Sequence, residues 1–210
     1  MRKFLRVIII YIVYVILIAF IGLLSNFLFR RFNWDYDLFR PSVFVIATII
    51  TTSIIIWYLN LKKLIVLDLG VNQKSKKVLG VIILGLLALV IRHFLFGFGH
   101  DQKICISSYD IINKLLPTLV VAPFCEELFF RNVIQKMLSD CINIHFAVLC
   151  ASVIFAFEHV FSNSFSDIYF LFHLVGGLIY GYSYFYSGSI LVAISIHFLF
   201  NLSTFIIPLL

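Results

Sequence analysis

The sequence predicts an all-α fold, a polytopic membrane helix bundle with about seven transmembrane helices. Three observations carry that expectation. Of 210 residues, 62% are hydrophobic and 12% are charged, against about 45–50% and about 25% in an ordinary soluble domain. The apolar residues come in runs of about 20, the length that crosses the hydrocarbon core as a helix. Lys and Arg fall mostly between those runs, where they set orientation.

The first run, roughly 5–28, follows a basic start, "MRKFLR". It lacks the short apolar region and small-x-small cleavage site of a signal peptide, so an uncleaved helix is expected. The second span is roughly 42–60, between Pro41 and Lys62-Lys63, and the third roughly 78–98, between "KSKK" and "GHDQK". The fourth is roughly 113–138, the fifth 144–161, the sixth 168–186 and the seventh 190–208. Only "YSGS" at 186–189 separates the last two, which predicts a tight helical hairpin.

Arg2, Lys3 and Arg6 precede span one, and Lys62, Lys63, Lys74, Lys76 and Lys77 lie between spans two and three. Alternating spans put both groups on one side, which favours a cytoplasmic N-terminus. The formal charge of +6 is therefore read as topology in the cell membrane and not as a nucleic-acid surface. Cys105, Cys125, Cys141 and Cys150 show no CxxC spacing and are expected to be small apolar helix residues.

The two halves differ in character. Residues 1–110 carry their charges mostly in loops and read as a scaffold of about three spans. Residues 111–210 read as a core of about four spans holding nearly all the intramembrane polar groups. An ionisable group inside a span costs at least about 2.5–3.5 kcal/mol and marks function by default. In "APFCEELFFRNVIQ", Glu127 and Arg131 are four apart and share a helix face, so they are expected to pair. Glu126 lies about 100° round from Glu127 and points elsewhere. The bland reading of Glu127 and Arg131, a structural ion pair, leaves Glu126 unexplained.

Span five ends in "FAFEHV" with His159, and span seven holds His197 and Asn201 on one face. Singly, each reads as an interhelical hydrogen bond. Together, one Glu, two His and one Asn in three apolar spans make a hydrolase inventory. A carboxylate and a His activate water, and a second His and a carboxamide stabilise the oxyanion. No Ser sits in a GxSxG turn, so the nucleophile is water. Glu126, His159 and His197 also have the donor types of a zinc site, although no HExxH spacing is present.

These residues resemble the motifs of the CPBP family, which holds the type II CAAX prenyl proteases and the bacteriocin-processing and immunity (Abi-like) proteins. "EELFFR" (126–131) resembles its EExxxR motif, "FAFEH" (155–159) its FxxxH motif and "HFLFN" (197–201) its HxxxN motif. The resemblance covers residues 120 to 205 or so. It implies an intramembrane endopeptidase with Glu126 as base, His159 as its partner, His197 and Asn201 at the oxyanion, and Glu127 and Arg131 holding the site. It leaves open a zinc ion or a metal-free glutamate mechanism.

Two residues depart from the pattern. Glu158 sits beside His159, where a small or apolar residue is expected, and is either a second carboxylate near the site or, the favoured reading, a residue facing the interface at the span end. His173 is either a cavity residue or a headgroup contact. Gly177 and Gly181 form a GxxxG pair for close helix packing, with dimerisation the lesser alternative.

The expected partners are the lipid bilayer and a membrane-associated peptide or protein, with a secreted or membrane-bound precursor favoured over a prenylated substrate. The first alternative is a non-catalytic bacteriocin self-immunity protein of the same fold. The second, a small transporter, ranks last because no inverted repeat is visible.

Overall fold

The computed structural model describes residues 2–32, 36–65, 83, 85, 87, 115–162 and 167–206. The described residues form six helices and no strand. The helices are α1 (Arg2–Arg31), α2 (Tyr36–Leu61), a composite α3, α4 (Ile144–Ser162), α5 (Asp167–Ser187) and α6 (Ile190–Ile206). Helix α3 runs without a break through a π-helical turn Pro117–Val121, an α segment Ala122–Glu127, a longer π segment Leu128–Gln135 and a last α turn Lys136–Ser139. Most of the third expected span lies outside the described residues, where only 83, 85 and 87 are seen, all helical.

The architecture is therefore all-α, while the expected count of seven spans goes beyond it. One helix, Lys3–Arg31, is long and apolar enough to cross a membrane among the described residues, with mean hydropathy 3.2. Shorter apolar helices cover Val45–Leu61, Ile144–His159 and Ile190–Ser203. Helix α3 is less apolar because it carries Glu126, Glu127, Arg131 and Lys136.

Helix α1 shows how little of its surface faces protein. Val7 and Tyr14 are buried, and Ile10, Tyr11 and Ile18 pack partly beside them, one stripe at helical spacing. Most of its other large apolar side chains, from Phe4 to Leu28, face outward. The buried stripe anchors α1 on α3. Tyr14 stacks on Phe129 with ring centroids 3.7 Å apart and meets Phe130 edge-on at 6.4 Å. Such a pair contributes about 0.5–1.5 kcal/mol beyond its buried area. Helix α2 offers a matching stripe of Thr48, Thr51, Thr52, Ile55 and Leu59, all buried.

The core is one cluster shared by all six helices, centred on Phe129, Phe130, Ile134, Phe155 and Tyr180. Helices α4 and α5 pack along their length, and the GxxxG pair sets their approach. A Cβ at Gly177 would lie 3.1 Å from Ser152 Cα, and one at Gly181 would lie 2.9 Å from Val148 Cγ1. Only glycine lets the two backbones come so close, so the packing role expected of this pair is met. The α5–α6 hairpin turns on Gly188, whose φ of 65° is left-handed, with its N–H donating to Tyr184 O at 2.8 Å. Ser187 reinforces the turn, its Oγ accepting from Ser189 N at 3.1 Å.

Candidate active site

The site forms where α3 passes the C-terminal half of α4, the start of α5 and the middle of α6. All eight residues of the long π segment are buried. In a π turn the backbone bonds reach i→i+5 (Ala122 N–H donates to Pro117 O, and Lys136 N–H to Arg131 O). Such wider turns are uncommon and recur at functional sites. Here they bracket the two carboxylates, which sit on the α segment between them.

Glu127 and Arg131 are both fully buried, and Arg131 Nε donates to Glu127 Oε2 at 2.9 Å, as the spacing predicts. The remaining guanidinium lies over the Phe155 ring, its Cζ 5.5 Å from the centroid. The other Glu127 oxygen holds a partner that sequence spacing could not supply. His197, 70 residues away, meets Glu127 Oε1 at 2.9 Å through Nδ1. A carboxylate already receiving an Arg proton can only accept, so His197 Nδ1 carries the hydrogen and donates it. This fixes the tautomer, with Nε2 turned the other way. Tyr180 stacks on the same ring at 4.4 Å, further fixing its plane.

His197 Nε2 points toward Glu126, 3.9 Å from its Oε2. His159 Nε2 approaches the same oxygen at 3.6 Å. His159 Nδ1 lies 2.9 Å from the carbonyl of Phe155, and a carbonyl accepts only, so this ring is also locked with Nε2 inward. Glu126 Oε2 is itself buried and makes no hydrogen bond among the described residues. Two imidazole nitrogens from α4 and α6 thus converge on one carboxylate oxygen of α3.

Asn201 lies one turn beyond His197, and its Nδ2 donates to Thr118 O in the first π turn of α3 at 2.9 Å. It ties the end of α6 to the start of α3. His173 comes to the site as well. Its ring stacks on His159 at 4.4 Å, and its Nδ1 lies 2.9 Å from Tyr169 O. Glu158 is half-buried, and its Oε2 is buried without a hydrogen bond among the described residues. It lies within electrostatic reach of Glu126, Tyr11 and Tyr14. The approach of α1 to the site could not be read from residue spacing, since no motif links the two.

Among the described residues no group of three or more His, Cys, Asp or Glu side chains could hold a metal ion. The zinc set of Glu126, His159 and His197 is brought together around one oxygen but is not assembled as a metal cage. Cys125, Cys141 and Cys150 are free thiols.

Residues 108–203 match a family model described as Type II CAAX prenyl endopeptidase Rce1-like. The matched stretch contains all three motifs, and the family is the one that they resemble: membrane-embedded peptidases of the CAAX type. No curated protein and no solved structure gives a match.

Proposed function

We propose that the protein is an intramembrane endopeptidase that hydrolyses a peptide bond in a membrane-associated peptide or protein, with Glu126 as the base that activates water. The observation that carries this reading is the surroundings of Glu126 Oε2, a buried carboxylate oxygen with His159 Nε2 at 3.6 Å and His197 Nε2 at 3.9 Å. With both Nδ1 atoms committed elsewhere, the three converging atoms are all acceptors. A water held among them would donate to two of these atoms at once.

In this reading Glu126 takes a proton from that water while the water oxygen forms its bond to the scissile carbonyl carbon. His159 Nε2 orients the water. His197, its Nδ1 proton held by the Glu127 carboxylate, takes one proton from bulk water onto Nε2 as the substrate displaces its acceptor contact, keeps it through turnover and donates a hydrogen bond to the oxyanion, with the Asn201 amide as second donor. When the C–N bond breaks, Glu126 returns its proton to the leaving amine. Glu127 and Arg131 hold His197 in register and do not touch the substrate. His173 supports His159 by stacking, and no step is assigned to Glu158. Zinc has no role in this scheme.

We assign the substrate to the class of CAAX-type, bacteriocin or signal-peptide precursors held at the bilayer. The family match and the outward apolar faces of α1 support a multi-pass protein, and the Lys and Arg distribution supports seven spans with a cytoplasmic N-terminus. Residues 1–110 serve as scaffold and 111–210 as catalytic core. The test is product analysis: membranes carrying the protein are incubated with membrane-tethered peptides and the fragments are read by mass spectrometry. New cleavage products that require an intact Glu126 support the reading. Their absence across such peptides, with the protein folded and inserted, overturns it.

A further inference from the structure

Helix α3 carries more buried polarity than the proposed catalysis uses. Glu127, Arg131, Gln135 and Ser139 repeat every four residues, which aligns them along one face. Arg131 and Gln135 are essentially unexposed. Arg131 spends Nε on Glu127, yet neither terminal guanidinium nitrogen makes a hydrogen bond among the described residues. Gln135 donates through Nε2 to Gly181 O at 3.0 Å, while its Oε1 is left buried without one. The two groups border the same gap. A Cβ built on Gly181 would fall 2.9 Å from Gln135 Oε1 and 3.4 Å from an Arg131 terminal nitrogen. Buried donors and acceptors of this kind are ordinarily satisfied by internal water.

Gln135 is also a wall of a cavity of about 380 Å³ at the far end of α3, lined further by Lys136 and Ser139, by Ile144 of α4 and by Tyr184 of α5. This cavity lies beside the α3–α4 turn and the α5–α6 turn. His159 and His173 lie at the opposite ends of α4 and α5. From Gln135 to Glu127 is eight residues, at most about 12 Å, since the α-helical rise of 1.5 Å per residue is an upper bound for the wider π turns between them. Between them lie the buried polar atoms of Arg131 and Gln135, inside an otherwise apolar core.

We infer that the cavity at the Gln135 end is a water inlet, and that Gln135 and Arg131 pass water along α3 to the Glu126–Glu127 site from behind. The inference rests on the hydrolase reading above. A peptide lying on Glu126 would cover the His159 side, where His159 is 22% exposed. Each turnover consumes a water that a covered mouth cannot supply, and the rear route replaces it without releasing the substrate.

The first arm of the test does not depend on activity. Gln135→Cys and Ile134→Cys are exposed to a small charged methanethiosulfonate, which reacts only with a hydrated thiol, and labelling is read peptide by peptide. Labelling of position 135 with silence at 134 is expected. Equal silence at both overturns the inlet. In the second arm, Ser139→Cys and, as an independent variant, Tyr184→Cys are modified with reagents of increasing size. Modification is expected to lower kcat about tenfold, as a tenfold loss of positioned water would, with KM unchanged and activity restored on reduction. Full modification without a change in kcat, or a rise in KM alone, overturns the proposal. Failure of the peptidase reading is seen separately, as wild-type protein that cleaves nothing while the Gln135→Cys variant still labels at position 135.

Discussion

His197 and Glu127, 70 residues apart in sequence, are joined by a 2.9 Å contact from Nδ1 to Oε1, and the same carboxylate takes the Arg131 proton on its other oxygen. This relationship makes Glu127 the hinge between a structural ion pair and a catalytic ring.

Glu127→Gln should therefore injure both stability and turnover. The amide offers Arg131 no charge and frees His197 to take the wrong tautomer. Breaking one partner of a buried pair costs about 3–5 kcal/mol, and loss of tautomer control lowers kcat on the order of 10²–10⁴. Arg131→Met should show the stability loss with a smaller loss of kcat. Thermal unfolding in detergent together with single-turnover rates separates the two. Equal kinetics in both variants would contradict the assigned division.

Asn201→Ala should reduce kcat by about 10²–10³, the usual effect of removing an oxyanion donor, with a smaller change in KM. Because Asn201 also donates to Thr118 O, Asn201→Asp serves as the comparison, keeping an acceptor of the same shape but losing the donor. Turnover near wild type in either variant would remove Asn201 from the oxyanion.

Gly181→Ala should destabilise the protein by about 1–3 kcal/mol, as overpacking does. The new methyl meets Gln135 Oε1 and Val148 Cγ1, each at 2.9 Å. Gly22→Ala in α1 is the control, with nothing within 4 Å of the added carbon. There the gain of about 0.5–1 kcal/mol for Ala over Gly in a helix is expected. Unfolding midpoints of the two variants should move in opposite directions.

Metal dependence has a direct check. The proposed scheme uses protein groups alone, so purified protein should contain less than stoichiometric zinc and keep its activity after chelation and dialysis. One zinc per chain, with activity lost on chelation and recovered on adding the ion back, would contradict it.

The helices and the site were legible to different depths. Apolar run length located α1, α4, α5 and α6 within about three residues of their observed ends, because lipid-length helices are punctuated by charges and by turns such as that at Gly188, whereas α2 starts at Tyr36, ahead of the expected 42, and runs through Pro41 instead of stopping at it. The i,i+4 spacing of Glu127 and Arg131 predicted their ion pair, because that contact is local. The His197–Glu127 and Asn201–Thr118 contacts join distant segments, and nothing in local spacing selects one pairing over another. For the same reason Tyr14, which stacks on Phe129 from the other half of the chain, reads in sequence as one more apolar residue. The π segments were also invisible, since their residues have the same apolar pattern as an α-helix. Whether Glu158 faces the interface or the site could not be decided from its position in the run, because its electrostatic neighbours Tyr11 and Tyr14 come from α1.

The most direct measurement compares wild type with Glu126→Gln in proteoliposomes, reading cleavage of a membrane-tethered peptide by mass spectrometry. Glu126 and Gln have nearly the same shape, and Glu126 Oε2 makes no hydrogen bond among the described residues, so insertion and unfolding midpoint should be unchanged. The account predicts that cleavage is abolished while peptide binding persists. Cleavage at the wild-type rate by Glu126→Gln would contradict it.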